Sequence, residues 1–203
     1  MSTEIQTRAR EPKRERGKQR VAALIDAGAE LFAEKGYEAT TMTEIASRAG
    51  AAIGSLYQFF PLKETLAEAV FNRFAERAAA AFAQVEARAP GCSAREFADL
   101  FIDYKLRQGA DRDAAIALSS GVAGIVERRK PLGDALRGRI AAILGAANPA
   151  LRQDEAGTAA IIVNQVMKMI PALASTEDER AAALIGEARK LLALYIDEIL
   201  GRR

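Results

Sequence analysis

Residues 41–60, TMTEIASRAGAAIGSLYQFF, constrain the fold more than any other stretch of the chain. Thr41, followed three residues later by Glu44, forms a capping box, which predicts the start of a short helix. Gly50 predicts the end of that helix, because glycine accepts the positive φ that a tight turn requires. A second short helix is expected over residues 52–59. Helix, glycine turn and helix form the helix-turn-helix pattern, which is sized for the major groove of DNA.

Helix-favouring residues also dominate the rest of the chain, whereas strand-like runs of Val, Ile and Thr are nearly absent. An apolar stripe predicts a first helix over residues 18–35, ended by Gly36. It is expected to share a small core with the helix-turn-helix through Leu24, Leu31, Phe32, Ile45, Leu56 and Phe60. Further helices are predicted over residues 62–88, 94–108, 111–129, 131–147, 154–174 and 177–200. The chain is therefore expected to be all-α.

Prolines and a second capping box refine these helix limits. Pro131 is expected to separate two helices, and Pro171 to kink or end another near Ile170. Thr176 with Glu179 predicts the start of the last helix. The helix over residues 62–88 is too long to serve only the N-terminal bundle, so it is expected to connect two domains. The predicted division is a disordered arm over residues 1–15, a DNA-binding domain over 16–62 and a C-terminal helical domain over 63–203.

The charge of the chain is small overall, at a formal +2, but it is unevenly placed. Residues 8–20 hold seven Lys or Arg against Glu11 and Glu15. A basic arm ahead of a helix-turn-helix is typical of phosphate binding, although a solvated tail without that role has the same composition.

Catalysis and metal binding have little support in this composition. The chain has no His and one Cys, which excludes a Ser-His-Asp triad, a His-ligated zinc and a disulfide within the chain. Acidic pairs such as Asp99 and Asp103 are not accompanied by a nucleophile–base set. No apolar run approaches the roughly 20 residues of a membrane span, and the N-terminus lacks the apolar core of a signal peptide. We therefore expect no enzyme activity, no cofactor, no metal, no membrane contact and a cytoplasmic location.

The last two predicted helices are apolar over a wide arc. They could pack against those of a second copy as a four-helix bundle, because a helix-turn-helix usually binds two half-sites. Alternatively, they pack only in the core of their own chain. The predicted interface of a homodimer consists of Ile162, Val166, Met169, Leu184, Ala188, Leu191, Leu192, Tyr195 and Ile199.

Residues 36–66 strongly resemble the TetR family of transcriptional repressors. The matching residues are Gly36-Tyr37, Thr40-Thr41, Glu44-Ile45-Ala46, Ala49-Gly50, Gly54-Ser55-Leu56-Tyr57-Gln58-Phe59-Phe60, Lys63-Glu64 and Leu66. The resemblance covers about the first third of the chain. The remainder fits the family in being helical and of suitable length.

Most of the predicted contacts with double-stranded DNA follow from this resemblance. Thr41, Tyr57 and Lys63 match phosphate-binding positions, and Gly54 matches the glycine that lets the second helix lie close to DNA. Gln58 is added because of its outward position on that helix. The full predicted set is Thr40, Thr41, Ala51, Ala52, Gly54, Ser55, Tyr57, Gln58 and Lys63.

The second helix of the motif offers few long hydrogen-bonding side chains. It has Gln58 and Ser55 but no Arg or Asn, which carry much of direct base recognition. Ile53 also departs from the polar or basic residue that is common in the family. We therefore expect specificity to depend on DNA shape and on contacts between thymine methyl groups and residues 51–53.

The resemblance also implies a small-molecule effector, bound among the helices of residues 63–203, that loosens DNA binding. Its candidate lining is Phe71, Phe74, Phe101, Tyr104, Ser119, Asn164 and Met167, although aromatic residues at helical spacing are more often core. Asn164 and Lys168, which interrupt an apolar helix, face either this ligand or the dimer interface. The leading interpretation is a homodimeric repressor that a small molecule releases from a palindromic operator. An activator with the same DNA-binding head and a helical protein-interaction scaffold are the alternatives.

Overall fold

A computed structural model describes residues 15–175 and 180–201, and within these ranges the chain is helical without a strand. The helices, in chain order, are α1 Glu15–Ala39, α2 Met42–Arg48, α3 Ile53–Phe59, α4 Lys63–Arg88, α5 Ala94–Leu106, α6 Gly109–Leu118, α7 Ala123–Ala147, α8 Gln153–Ala174 and α9 Arg180–Leu200. The predicted all-α fold is confirmed. Residues 1–14 of the predicted arm and the capping box of Thr176 and Glu179 lie outside the described residues.

The chain divides into two compact units. The first contains the chain up to Glu76 together with Gly109–Lys130, and the second contains Arg77–Gln108 and the chain from Pro131 onward. These limits differ from the expected boundary between residues 62 and 63. The first unit includes the first half of α4, all of α6 and the start of α7, and α6 packs against α1.

A half-buried arginine shows why the first unit extends so far. Arg73 of α4 donates to Asp26 of α1 and to Asp111 of α6, each over 2.5 Å between nitrogen and oxygen. Arg128 of α7 donates to the Asn72 side chain over 2.6 Å. These contacts connect residues that are 38 to 56 positions apart in sequence.

The core of the N-terminal helices agrees with the sequence. All six residues expected to form it are buried: Leu24, Leu31, Phe32, Ile45, Leu56 and Phe60. Gly28 brings α1 close to α4, because a Cβ at this position would lie 3.2 Å from Leu66 Cδ2. Gly36 adopts a φ of 80° and ends the regular part of α1, as predicted.

The second unit packs α5, α8 and α9 around an apolar core. Phe97 and Phe101 of α5 stack with their ring centroids 6.3 Å apart. At one side of the core, Arg189 of α9 donates to Asp99 over 2.8 Å and also to Asp103. Asp99 and Asp103 therefore anchor α5 to α9.

Pro131 and Pro171 both lie inside helices, and the position of Pro131 corrects an expected helix limit. Pro131 lies within α7, and the break before α7 comes at residues 119–122 instead. There the Ser119 hydroxyl donates to the Ile116 carbonyl over 2.7 Å, which helps to close α6. Pro171 does not end α8, which continues to Ala174. Ser175 then closes α8 by donating from its backbone N–H and its hydroxyl to the Pro171 carbonyl.

By length and composition alone, α8 could cross a membrane, which differs from the expectation that no segment would qualify. It is the one such helix in the part of the chain described by the structure. Val163, Met167 and Ile170 of α8 are nevertheless buried in the core of the second unit. Core helices with this composition meet the same criterion.

Candidate nucleic-acid interface

The first helix of the motif begins at a fully formed capping box. Thr41 Oγ1 accepts from the backbone N–H of Glu44 over 3.3 Å, and the Thr41 backbone N–H donates to the Glu44 carboxylate over 2.9 Å. A hydrogen bond from Lys35 and the hydrogen bonds from Thr41 lower the pKa of Glu44 to about 2. Arg48 holds the other end of α2 on α1 through two hydrogen bonds to Glu34, of 2.9 and 3.0 Å. Both ends of α2 are thus fixed.

The turn and α3 present the exposed face on which DNA contacts were predicted. Gly50 has a φ of 61°, as a tight turn requires, and Leu56 turns inward to the core. The residues exposed on this face are Ala52, Ile53, Gly54, Tyr57 and Gln58, whereas Ala51 and Ser55 are half-buried. The space above Gly54 is open, because a Cβ there would meet no described atom within 4 Å.

Arg20 is a neighbour of this face that was not singled out from the sequence. Its Nη1 lies 3.5 Å from Ser55 Oγ, so an exposed cation of α1 stands beside α3. The signal was present, because Arg20 is the last residue of the basic run over residues 8–20. Sequence spacing alone did not separate Arg20 from the arm before it.

Thr40 is buried, which contradicts its predicted contact with DNA. Its hydroxyl lies 2.7 Å from the Gly36 carbonyl and 3.2 Å from the Leu31 carbonyl. Only 1% of the residue is exposed. Thr40 therefore closes the end of α1, and its neighbour Thr41 remains exposed.

Lys63 also has an internal role that the sequence did not predict. Its ammonium donates to the carbonyl of Tyr37 over 2.8 Å and to the carbonyl of Thr40 over 3.1 Å. It lies 4.2 Å from the centroid of the Tyr37 ring, at cation–π distance. Lys63 therefore holds the connection between α1 and α2 in place, and its contact with phosphate remains a prediction.

The residues predicted for the dimer interface separate into two groups. Ala188, Leu192 and Ile199 are buried in the core of their own unit, so they are not available to a second copy. Val166 and Tyr195 are half-buried. The exposed members are Ile162, Met169, Leu184 and Leu191, and they are joined by Ile161 and by Leu194, which is 72% exposed.

The apolar arc of α9 explains this separation. At about 100° per residue, Ala188, Leu192 and Ile199 lie on one stripe, and Leu184, Leu191 and Leu194 lie on the adjacent stripe. In the sequence, the residues of both stripes form one continuous apolar pattern. Leu194 was not included in the predicted interface because it lies at the edge of that pattern.

The seven effector candidates do not fall in one unit. Phe71, Phe74 and Ser119 belong to the first unit, and Phe101, Tyr104, Asn164 and Met167 belong to the second. Phe71 is buried beneath the guanidinium of Arg128, which lies 5.2 Å from its ring centroid. Phe71 and Ser119 therefore have structural contacts within the first unit.

Tyr104 is the most informative of the candidates in the second unit. It shares the apolar core with Phe101 and Met167, and its ring meets Phe82 edge-on at 5.2 Å. Its hydroxyl is buried and has no hydrogen-bond partner among the described residues. Burial raises the pKa of Tyr104, so the phenol stays protonated as a hydrogen-bond donor.

The two polar residues of α8 differ in their surroundings. Lys168 is exposed, and Asn164 is half-buried. Helical geometry puts Asn164 on the opposite side of α8 from Ile162 and Met169. Asn164 is nevertheless next to the exposed Ile161, which lies three residues before it on α8. Over the described residues, no three His, Cys, Asp or Glu side chains come close enough together to hold a metal ion.

Two family models match the chain. The model of bacterial regulatory proteins of the tetR family matches residues 24–70, and that of the tetracyclin repressor-like C-terminal domain matches residues 92–195. The HTH-type transcriptional repressor KstR2 of Rhodococcus jostii is 45% identical over 51 residues, which are 25% of each chain. The repressor KstR of the same organism is 40% identical over 60 residues, 30% of this chain and 28% of the relative. The chain thus spans only about a quarter of the length of these curated relatives.

Solved structures share the fold over nearly the whole chain. A transcriptional regulator from Aquifex aeolicus VF5 has a TM-score of 0.71 and 19% identity, over 86% of this chain and 98% of that one. The regulator FadR from Bacillus subtilis, in complex with stearoyl-CoA, has a TM-score of 0.61 and 20% identity, over 85% and 97% of the two chains. With its helix-turn-helix, its helical second unit and both family models matched, the chain belongs to the TetR family of bacterial transcriptional regulators.

Proposed function

We propose that this protein is a cytoplasmic homodimeric repressor that binds a palindromic operator and is released by a small molecule. The observation that carries the proposal is the exposed face of α3, which projects from a helix-turn-helix fixed at both ends of α2. Two curated relatives, which match 25% and 30% of this chain, are named as repressors. DNA contacts are proposed for Thr41, Tyr57, Gln58 and Arg20, because all four are exposed on or beside the motif.

A second copy is the proposed partner of the exposed apolar stripes on α8 and α9. Ile162, Met169, Leu184, Leu191 and Leu194 are each at least 39% exposed, on two helices that pack against each other. Neighbouring exposed apolar side chains of this kind often mark a protein–protein interaction site. Two such pairs of helices can form a four-helix bundle around a two-fold axis, which also supplies two DNA-binding heads.

The proposed effector is an apolar molecule with a hydrogen-bond acceptor. The supporting observation is the Tyr104 hydroxyl, which is buried and has no hydrogen-bond partner among the described residues. An acceptor atom in the ligand would accept a hydrogen bond from it. FadR from Bacillus subtilis was solved with stearoyl-CoA, so acyl-CoA esters are a reasonable first class of probe. Because α4 contributes residues to both units, its movement is the proposed way in which the effector changes the separation of the two helix-turn-helix motifs in the dimer.

Selection of bound duplexes from random DNA, followed by binding measurements at two salt concentrations, tests the DNA-binding part. We expect an inverted repeat whose half-sites are centred about one helical turn, roughly 34 Å, apart. Affinity should fall steeply as salt rises, because phosphate contacts release counterions. Failure to enrich any duplex in dilute buffer would reject this part of the proposal.

Sedimentation of a Leu194→Glu variant tests the dimer. The wild type is expected to sediment as a dimer at micromolar concentration. The variant should sediment as a monomer with an unchanged helical circular dichroism spectrum, because Leu194 is exposed in its own chain. Ile116→Glu is the matched control, since Ile116 is 57% exposed but lies on α6. If the Leu194→Glu protein remains dimeric, the dimer interface lies on another surface.

A further inference from the structure

The leading edge of α3 carries methyl groups in place of hydrogen-bonding groups. Ala52 caps the helix without a side-chain hydrogen bond, and the first turn has no charged residue. Ile53, the first residue of α3, is 40% exposed. Gly54 adds no side chain, and Ser55 is half-buried beside Arg20. Ala51, Ala52 and Ile53 therefore form an apolar surface at the N-terminal end of α3.

This surface is matched by one chemical group in the major groove. The N-terminal residues of the second helix of a helix-turn-helix contact base edges. Among the groups that base pairs present there, the 5-methyl group of thymine is the apolar one. We propose that Ile53 is a specificity-determining residue that recognises a thymine in each half-site through its methyl group. This inference rests on the proposed binding of duplex DNA.

The size of the effect follows from the burial of one methyl group. Removing one buried thymine methyl group should raise Kd about fourfold for a single half-site contact. When both half-sites of a palindrome are altered, the expected change is about fifteenfold. Effects of this size are readily measured by fluorescence anisotropy with a labelled duplex.

The test combines a change in the protein with a change in the DNA. Each thymine of the selected operator is replaced in turn by deoxyuridine, symmetrically in both half-sites, which removes the methyl group and keeps base pairing. Wild-type protein should lose about fifteenfold in affinity at one thymine position. Ile53→Ala should bind the unmodified operator more weakly and should show no further loss with deoxyuridine at that position. A shape effect of the methyl group would persist in Ile53→Ala, so the double change separates contact from shape.

Leu62→Ala is the matched control, because Leu62 is 42% exposed in the same unit but lies outside α3. It should keep the full deoxyuridine penalty. The inference is overturned if selected half-sites lack a shared thymine, if no deoxyuridine substitution weakens binding, or if Ile53→Ala retains the penalty. In each of these cases the protein still binds DNA, whereas failure to select any duplex would instead reject the proposed function.

Discussion

Lys63→Met removes an ammonium that holds the connection between α1 and α2 while it keeps a side chain of similar length. The lost contacts are the hydrogen bonds to the carbonyls of Tyr37 and Thr40, a longer one of 3.4 Å to the carbonyl of Glu38, and the cation–π contact with the Tyr37 ring. Hydrogen bonds from charged groups contribute about 1.5–3 kcal/mol each, and a cation–π contact adds about 0.5–1 kcal/mol. Because water can reach the half-buried ammonium, we expect a total loss of about 2–3 kcal/mol in the free energy of unfolding.

Thermal unfolding measured by circular dichroism at matched protein concentrations checks this value. A loss of this size should lower Tm by about 4–12 °C for a chain of this length. DNA binding supplies the second measurement. If Lys63 acts only inside the protein, the slope of log affinity against log salt should be unchanged in the variant. A phosphate contact would instead reduce the slope by about one for each half-site.

Lys18→Met is the control, because Lys18 is an exposed lysine of α1 that pairs only loosely with Glu15, at 3.7 Å. Its Tm should change little, since exposed ion pairs contribute at most about 1 kcal/mol. An unchanged Tm in Lys63→Met together with a reduced salt slope would refute the internal role of Lys63.

Four further substitutions test other contacts. Asp111→Ala should cost about 1.5–3 kcal/mol, because it removes a charge-assisted hydrogen bond between a buried carboxylate and the half-buried Arg73, which keeps Asp26. Asp26→Ala should cost at most about 1 kcal/mol, because the Asp26 side chain is 59% exposed, and equal losses in urea unfolding would contradict this difference. Since the pKa of Glu44 is lowered from 4.5 to about 2, stability that is present above pH 4.5 should be lost as pH falls toward 2, and Glu44→Gln should flatten this part of the Tm profile. Tyr104→Phe should raise the stability of the ligand-free protein by about 1 kcal/mol, because it removes an unsatisfied buried hydroxyl, and a lower Tm would indicate a hidden partner.

The helix-turn-helix was predictable because its signals are local. Thr41 and Glu44 are three residues apart, and Gly50 determines the turn by its own backbone conformation. The apolar spacing also identified six residues in the core of the N-terminal helices. These signals depend on neighbours within one or two helical turns, so sequence alone reveals them.

The missed features depend on contacts between distant parts of the chain. Lys63 meets carbonyls 23 and 26 residues away, and Thr40 folds back onto Leu31. The extent of the first unit depends on Arg73, which links residues 47 and 38 positions away. On α9, a core stripe and an exposed stripe are adjacent, so periodicity alone could not tell which leucine faces the core. Pro131 shows that a residue that usually breaks helices can still be accommodated inside one.

The central claim is that two copies of the head, joined through α8 and α9, bind a palindrome together. Sedimentation of the purified protein with its selected duplex tests this claim most directly, with a second duplex in which five added base pairs separate the half-sites. We predict two chains on the selected duplex and a large loss of binding on the second, because half a helical turn rotates one half-site away. One chain per duplex, or equal binding to both duplexes, would contradict the account.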